Sequence, residues 1–166
     1  MGANFGSHTV YFAAIMKARR VHSFEPQAHL IDVIKKTLEL NQIDNVTLHQ
    51  AVAGAKLGKA HLKRTHAENS GMAEFRPGAG DLPVDMLPVD DVVGEEHVTG
   101  VKIDVEGMQM PVLRGMSKTI RRCAPVLWLE LRPAKGEIEQ PSEWLAKRGY
   151  RRQQISFRDF LFIPET

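Results

Sequence analysis

Two periods of hydrophobic and polar residues alternate along the chain. VHSF (21–24), VTLHQAV (46–52), VTGVKID (98–104) and PVLWLEL (125–131) are short apolar runs of strand length. Between them apolar residues recur at helical spacing: Leu30, Ile34 and Leu38 stand at i, i+4 steps within AHLIDVIKKTLELN, which predicts a helix there. SHTVYFAAIMKA predicts an earlier helix with Ser7 as its N-cap, PVLRGMSKTIRR a single later one, and SEWLAKRG the last. The end, YRRQQIS-FRD-FLFIP, reads as two strands in an antiparallel hairpin at a sheet edge. The stretch from Gly54 to Gly80 reads as an irregular excursion with a small hairpin around HLKR and MAEFR. Strands alternating with helices predict an α/β fold with a mostly parallel sheet.

Composition narrows the class. With 166 residues, 43% hydrophobic and 25% charged, the chain suits one soluble domain spanning 1–166. Arg19-Arg20, Lys35-Lys36, Arg121-Arg122 and Arg151-Arg152 are scattered over different elements, and the net charge is only +2, so no nucleic-acid partner is expected. The lone Cys123 excludes an internal disulfide and a CxxC metal pair. No run of about 18 apolar residues predicts a membrane span, and no signal-peptide pattern is present, which places the expectation in the cytoplasm. The seven histidines show no HExxH-like spacing, and no metal is expected. A hard cation would need Asp104, Asp90 or Asp91, and Glu130 to converge in the fold.

Three features carry candidate chemistry. The turn Gly2-Ala3-Asn4-Phe5-Gly6 lets backbone approach a ligand closely, Glu25 ends the next strand where a carboxylate can accept both ribose hydroxyls, and Asp104 and Glu106 stand at the end of VTGVKID. Each has a plainer reading: a strand-to-helix turn, a solvated carboxylate, and an N-cap for the helix after Gly107. Met108, Met110 and Met116 read as core filling, and Trp128 and Trp144 as buried packing residues. Against G-x-G-x-x-G counted from Gly2, the second and third glycine positions hold Asn4 and Ser7. That failure disfavours a nicotinamide-dependent oxidoreductase, because a pyrophosphate needs those glycines, and favours a ligand with an amino-acid tail such as S-adenosylmethionine.

GANFGSHTVYFA, VHSFEP, NVTLHQAVAG, VKIDVEGMQMPVLRGM and WLELRP together resemble the FkbM-type S-adenosylmethionine-dependent methyltransferases over nearly the whole chain, most specifically in VKIDVEG…VLRG. The resemblance implies a three-layer, Rossmann-like class I methyltransferase sheet ending in an antiparallel strand, and methyl transfer to a hydroxyl oxygen of a small-molecule, sugar or natural-product acceptor. It implies that Gly2, Asn4 and Gly6 flank the methionine part of the cofactor, Glu25 the ribose, and Gln50 and Ala51 the adenine. Asp104 or Glu106 would orient or deprotonate the acceptor hydroxyl. The segment from Ala55 to Pro88 would shape the acceptor pocket.

Two positions depart from the family pattern. An apolar strand ending in an acid normally leads into the first glycine, and here only Met1 precedes Gly2. The first central strand is thus expected to be missing through an incomplete N-terminus, and the exposed strand edges would favour a homo-oligomer. Gln109 stands where a carboxylate is usual, keeping hydrogen-bonding capacity without basicity. The alternative to an active enzyme is a degenerate, non-catalytic methyltransferase-like interaction domain.

Overall fold

The structure, a computed structural model, describes residues 1–66, 69–78 and 83–165. The chain packs as two compact units, Met1–Val52 with Gly58–Met86, and Ala53–Leu57 with Leu87–Thr166. The fold is α/β with both parallel and antiparallel strand pairs.

In the first unit, helix α1 (Ser7–Val10) runs into a π-helical turn (Tyr11–Ile15). Ser7 does not cap it: Gly6, at φ 86°, is the N-cap, and its carbonyl already accepts the Val10 N–H at 2.9 Å, so Ser7 lies inside the first turn. Strand β1 (Val21–Phe24) pairs in parallel with β2 (Val46–His49), Val21 opposite Val46 and Phe24 opposite His49. Helix α2 (Ala28–Leu40) joins them and buries Leu30, Ile31, Ile34 and Leu38, the stripe its periodicity predicts. The VTLHQAV run breaks after His49 and resumes only as the two-residue β3 (Val52–Ala53). Strands β4 (Gly58–His66) and β5 (Asn69–Pro77) form the hairpin expected around HLKR and MAEFR, nine residues on each side, with register shifts between Leu62 and Arg64 and between Arg64 and His66. Strand β6 (Pro83–Leu87), which the pattern does not reveal, pairs antiparallel with β4. Residues 67–68 and 79–82 of the expected acceptor-shaping segment lie outside the described residues.

The second unit carries a four-stranded mixed sheet in the order β7-β8-β10-β9, with β7 Gly100–Ile103, β8 Val126–Glu130, β9 Tyr150–Gln154 and β10 Asp159–Pro164. β7 and β8 are parallel, while β10 is antiparallel to both β8 and β9, as the terminal hairpin predicts. β9 forms an edge, and four of its five residues are exposed. Helix α3 (Val89–Val93) precedes β7. Ile103, Leu127, Leu129, Phe160 and Phe162 from the sheet and Val112, Leu113, Met116 and Leu145 from the helices make a closed apolar core.

The helix expected over PVLRGMSKTIRR is two: α4 (Gln109–Gly115) and α5 (Ser117–Cys123), separated at Met116 with φ −123°. Two contacts fix the break. Gly115 packs directly on the Gly54 carbonyl, and the Asp90 carboxylate accepts the Lys118 and Thr119 N–H groups at 3.0 and 2.8 Å, ending one helix and capping the next. α6 (Glu139–Ala146) completes the unit. Neither tryptophan is a core residue. Trp128 is half-buried and donates its indole N–H to Asp159 Oδ1 at 2.7 Å, and half-buried Trp144 carries the Arg148 guanidinium 3.4 Å from its ring centre.

Candidate functional site

The glycine-rich turn is held onto the end of β1 by its own backbone. Phe24 O accepts both the Gly2 N–H (3.1 Å) and the Ala3 N–H (3.0 Å), and the Asn4 N–H donates to Glu25 Oε2 at 2.9 Å. Gly2, Asn4 and Gly6 all take left-handed φ, at 72°, 50° and 86°. The residue types follow, since glycine enters that region without strain and asparagine is among the few others that tolerate it. A Cβ on Gly6 would also meet Ile34 Cγ1 at 3.0 Å, so the turn sits tight on α2.

Glu25 is only 4% exposed. Burial raises its pKa, opposed by the Gln27 and Asn4 N–H groups and the Gln27 side-chain amide. Those bonds fix the carboxylate: Oε1 accepts both Gln27 donors and Oε2 accepts the Asn4 N–H, which leaves a lone pair on Oε2. Asn4 Oδ1 is buried with no hydrogen-bond partner among the described residues, an acceptor waiting for a donor. The structure thus brings Gly2, Asn4, Gly6 and Glu25 together. Gln50 is exposed, and Ala51 is buried with its N–H on His49 O at 2.9 Å.

Sequence reasoning missed the ring stack beside them. His49 lies stacked between Phe24 (4.7 Å between ring centres) and His22 (5.3 Å), with His22 Nδ1 3.0 Å from His49 Nε2. Burial, and then the neighbouring His22, lower the His49 pKa. The signal was available in the alternation along VHSF and VTLH, which puts all three rings on one face of the parallel pair.

In the second unit the two acidic candidates have different surroundings. Asp104 Oδ2 lies 2.7 Å from Lys102 Nζ, whose side chain is 8% exposed and stands 4.9 Å from the Trp128 ring centre. Glu106 instead contacts the Arg132 guanidinium, which also binds Glu137 through Nε at 3.0 and 3.1 Å and through Nη2. Burial pushes the Glu137 carboxyl up, but the Arg132 side chain and N–H outweigh it and hold the group below its ordinary value. Glu106 is therefore one arm of an ion triad. Asp90, a candidate cation ligand in the sequence, is committed to capping α5.

The family profile described as the methyltransferase FkbM domain matches residues 1–152. The chain belongs to the FkbM methyltransferase family. Methyltransferase 1 of Beauveria bassiana is 24% identical over 173 residues, which cover 90% of this FkbM chain and 70% of that protein. The crystal structure of methyltransferase FkbM from Methylobacillus flagellatus superposes with a TM-score of 0.75 at 16% identity, covering 97% of this chain, which spans 41% of that longer one. A Streptococcus mutans protein solved in complex with SAH superposes with a TM-score of 0.59 at 14% identity, covering 96% of this chain and 82% of its own. At these identities the superpositions speak for the fold.

The unusual Gln109 of this FkbM chain now has a local reason. It is 5% exposed, and its Nε2 donates to Glu137 Oε2 at 3.2 Å and to the Glu130 backbone carbonyl at 3.4 Å. An amide supplies the donor where a carboxylate would face another carboxylate. Gln109→Glu is expected to lower unfolding stability by about 1–3 kcal/mol in urea titrations near neutral pH, the usual cost of an unsatisfied buried acceptor. Wild-type stability in that variant would contradict this account.

Proposed function

We propose that this chain transfers a methyl group from S-adenosylmethionine to a hydroxyl oxygen of a small-molecule or saccharide acceptor. Asn4 Oδ1 carries the reading: a buried, unpartnered acceptor in a left-handed turn beside a fixed carboxylate suits a ligand bearing both an ammonium group and a ribose. Family membership supports methyl transfer, and the Streptococcus mutans protein of similar fold was solved with SAH, the demethylated form of this cofactor. When bound, S-adenosylmethionine supplies an electrophilic methyl group on a sulfonium. The chain's own part is positioning and proton handling. Asn4 and the turn take the amino-acid end, Glu25 accepts the ribose hydroxyls, and Asp104, at the carboxyl end of β7, orients and deprotonates the acceptor hydroxyl.

Isothermal titration with S-adenosylmethionine and SAH tests the cofactor half. Both are expected to bind, and Glu25→Gln, which exchanges one accepting oxygen for an amide, is expected to weaken them about 10- to 100-fold, the worth of a charged hydrogen bond. Absence of binding of both compounds would overturn the reading.

A further inference from the structure

The Asp104 carboxyl lies beside that of Glu130 and opposes its ionisation. Ionised carboxylates only accept, so the two can hydrogen-bond to each other only once the pair has taken up a proton. The sheet register builds the pair. Parallel pairing sets Lys102 opposite Trp128 and Ile103 opposite Leu129, so the next step along each strand brings Asp104 to Glu130. Antiparallel pairing sets Asp159 opposite Glu130 from the other side. The charged groups facing Glu130 are thus Asp104 and Lys102 on the β7 side, Asp159 on β10, and Arg158, whose Nη1 is 3.8 Å from Glu130 Oε1. Lys102 is turned toward Asp104 Oδ2 at 2.7 Å, and Asp159 accepts the Trp128 indole N–H.

We propose that Glu130 is a positioning residue for hydroxyl methylation: it makes Asp104 half of a two-carboxyl base that takes up the acceptor's proton as one shared hydrogen. The acceptor O–H bond breaks as its oxygen gains the methyl group from S-adenosylmethionine, whose carbon–sulfur electron pair stays on sulfur. The proton moves onto the carboxyl pair and then to solvent, which both half-buried groups reach. Two carboxylates held together resist losing their last proton, so the pair binds it more strongly than a lone carboxylate does. Burial, then Asp104, lift Glu130 to about 6, with Asp159 adding and Lys102 opposing. A base poised there is largely ionised at neutral pH and still takes a proton readily.

The catalytic meaning rests on the hydroxyl-methylating reading above; the shared proton does not. ¹³C-carboxyl NMR of labelled Glu and Asp in the cofactor-free protein reads it directly. The wild type should show a carboxyl titrating near 6, absent in Glu130→Gln and moved down toward 4.5 in Asp104→Asn. No elevated titration in the wild type, or a Glu130 midpoint unmoved by Asp104→Asn, would overturn the pairing. The acid limb of kcat/KM against pH, measured on any hydroxyl acceptor that turns over, should follow the same midpoint and shift down in Glu130→Gln; a limb unmoved by that variant would overturn the catalytic role. A coupled titration in a protein that binds no S-adenosylmethionine would leave the carboxyl pair standing and remove the methyltransferase reading alone.

Discussion

Gly115→Ala is expected to lower the thermal unfolding midpoint by about 6 to 12 °C, the equivalent of roughly 3 kcal/mol for a chain of this size. Gly115 meets the polypeptide backbone: an added Cβ falls inside the Gly54 carbonyl and crowds Ala55 Cα. Side chains that obstruct one another can rotate away, but a carbonyl fixed in a hydrogen-bonded segment cannot. Gly54 is so fixed, because its own N–H donates to Leu87 O at 3.0 Å. Relief would have to come from moving α4, whose Val112 and Leu113 are fully buried. Differential scanning calorimetry of Gly115→Ala beside Gly100→Ala separates the contact from ordinary glycine loss, since a Cβ on Gly100 meets nothing nearer among the described residues than the Val126 carbonyl at 3.8 Å. Equal midpoints in the two variants would show that the segment carrying Gly54 yields easily.

Arg132→Ala is the second large effect, with an expected loss of about 3–5 kcal/mol in urea unfolding. Arg132 is 13% exposed by side chain and faces Glu106 and Glu137, which are 21% and 14% exposed. Removing it leaves two poorly hydrated carboxylates without their cation, a greater cost than the ion pairs return in their favour. The pH dependence has a definite sign. Glu137 is held below its ordinary 4.5, so it contributes stability above that value and loses it as pH falls through the lowered native pKa; in Arg132→Ala that acid-sensitive contribution should vanish. Arg132→Lys should lie between, because an ammonium keeps the charge but cannot grip Glu137 through Nε and Nη2 together. An alanine variant within about 1 kcal/mol of the wild type would mean that water reaches these carboxylates freely.

Where the sequence was legible, the determining interactions were local. The spacing of Leu30, Ile34 and Leu38 defines α2, and VHSF coincides with β1. The terminal hairpin was readable because a polar connection divides two strand-like runs. The split between α4 and α5 was not, since its causes, Gly54 and Asp90, belong to other elements. β6 was hidden because its alternation is confined to Val84, Asp85 and Met86, behind a proline and with no long apolar run. The candidate site divides in the same way. Gly2, Asn4, Gly6 and Glu25 were visible because left-handed backbone restricts residue choice. Glu106 looked equivalent to Asp104 at the end of the same strand, but Arg132 sets it apart, and Asp104 comes beside Glu130 only once β7 and β8 are in register.

The outer strand β9 bears on how copies of this chain meet at high concentration. Arg151, Arg152, Gln153 and Gln154 all face solvent there, with the Arg152 guanidinium 5.6 Å from the Phe160 ring centre and bonded to Ser142 Oγ at 2.9 Å. A neighbouring copy approaching to extend the sheet along this strand would set like charges against each other and strip water from both arginines. That border is guarded against fibril growth by cations rather than by covering chain.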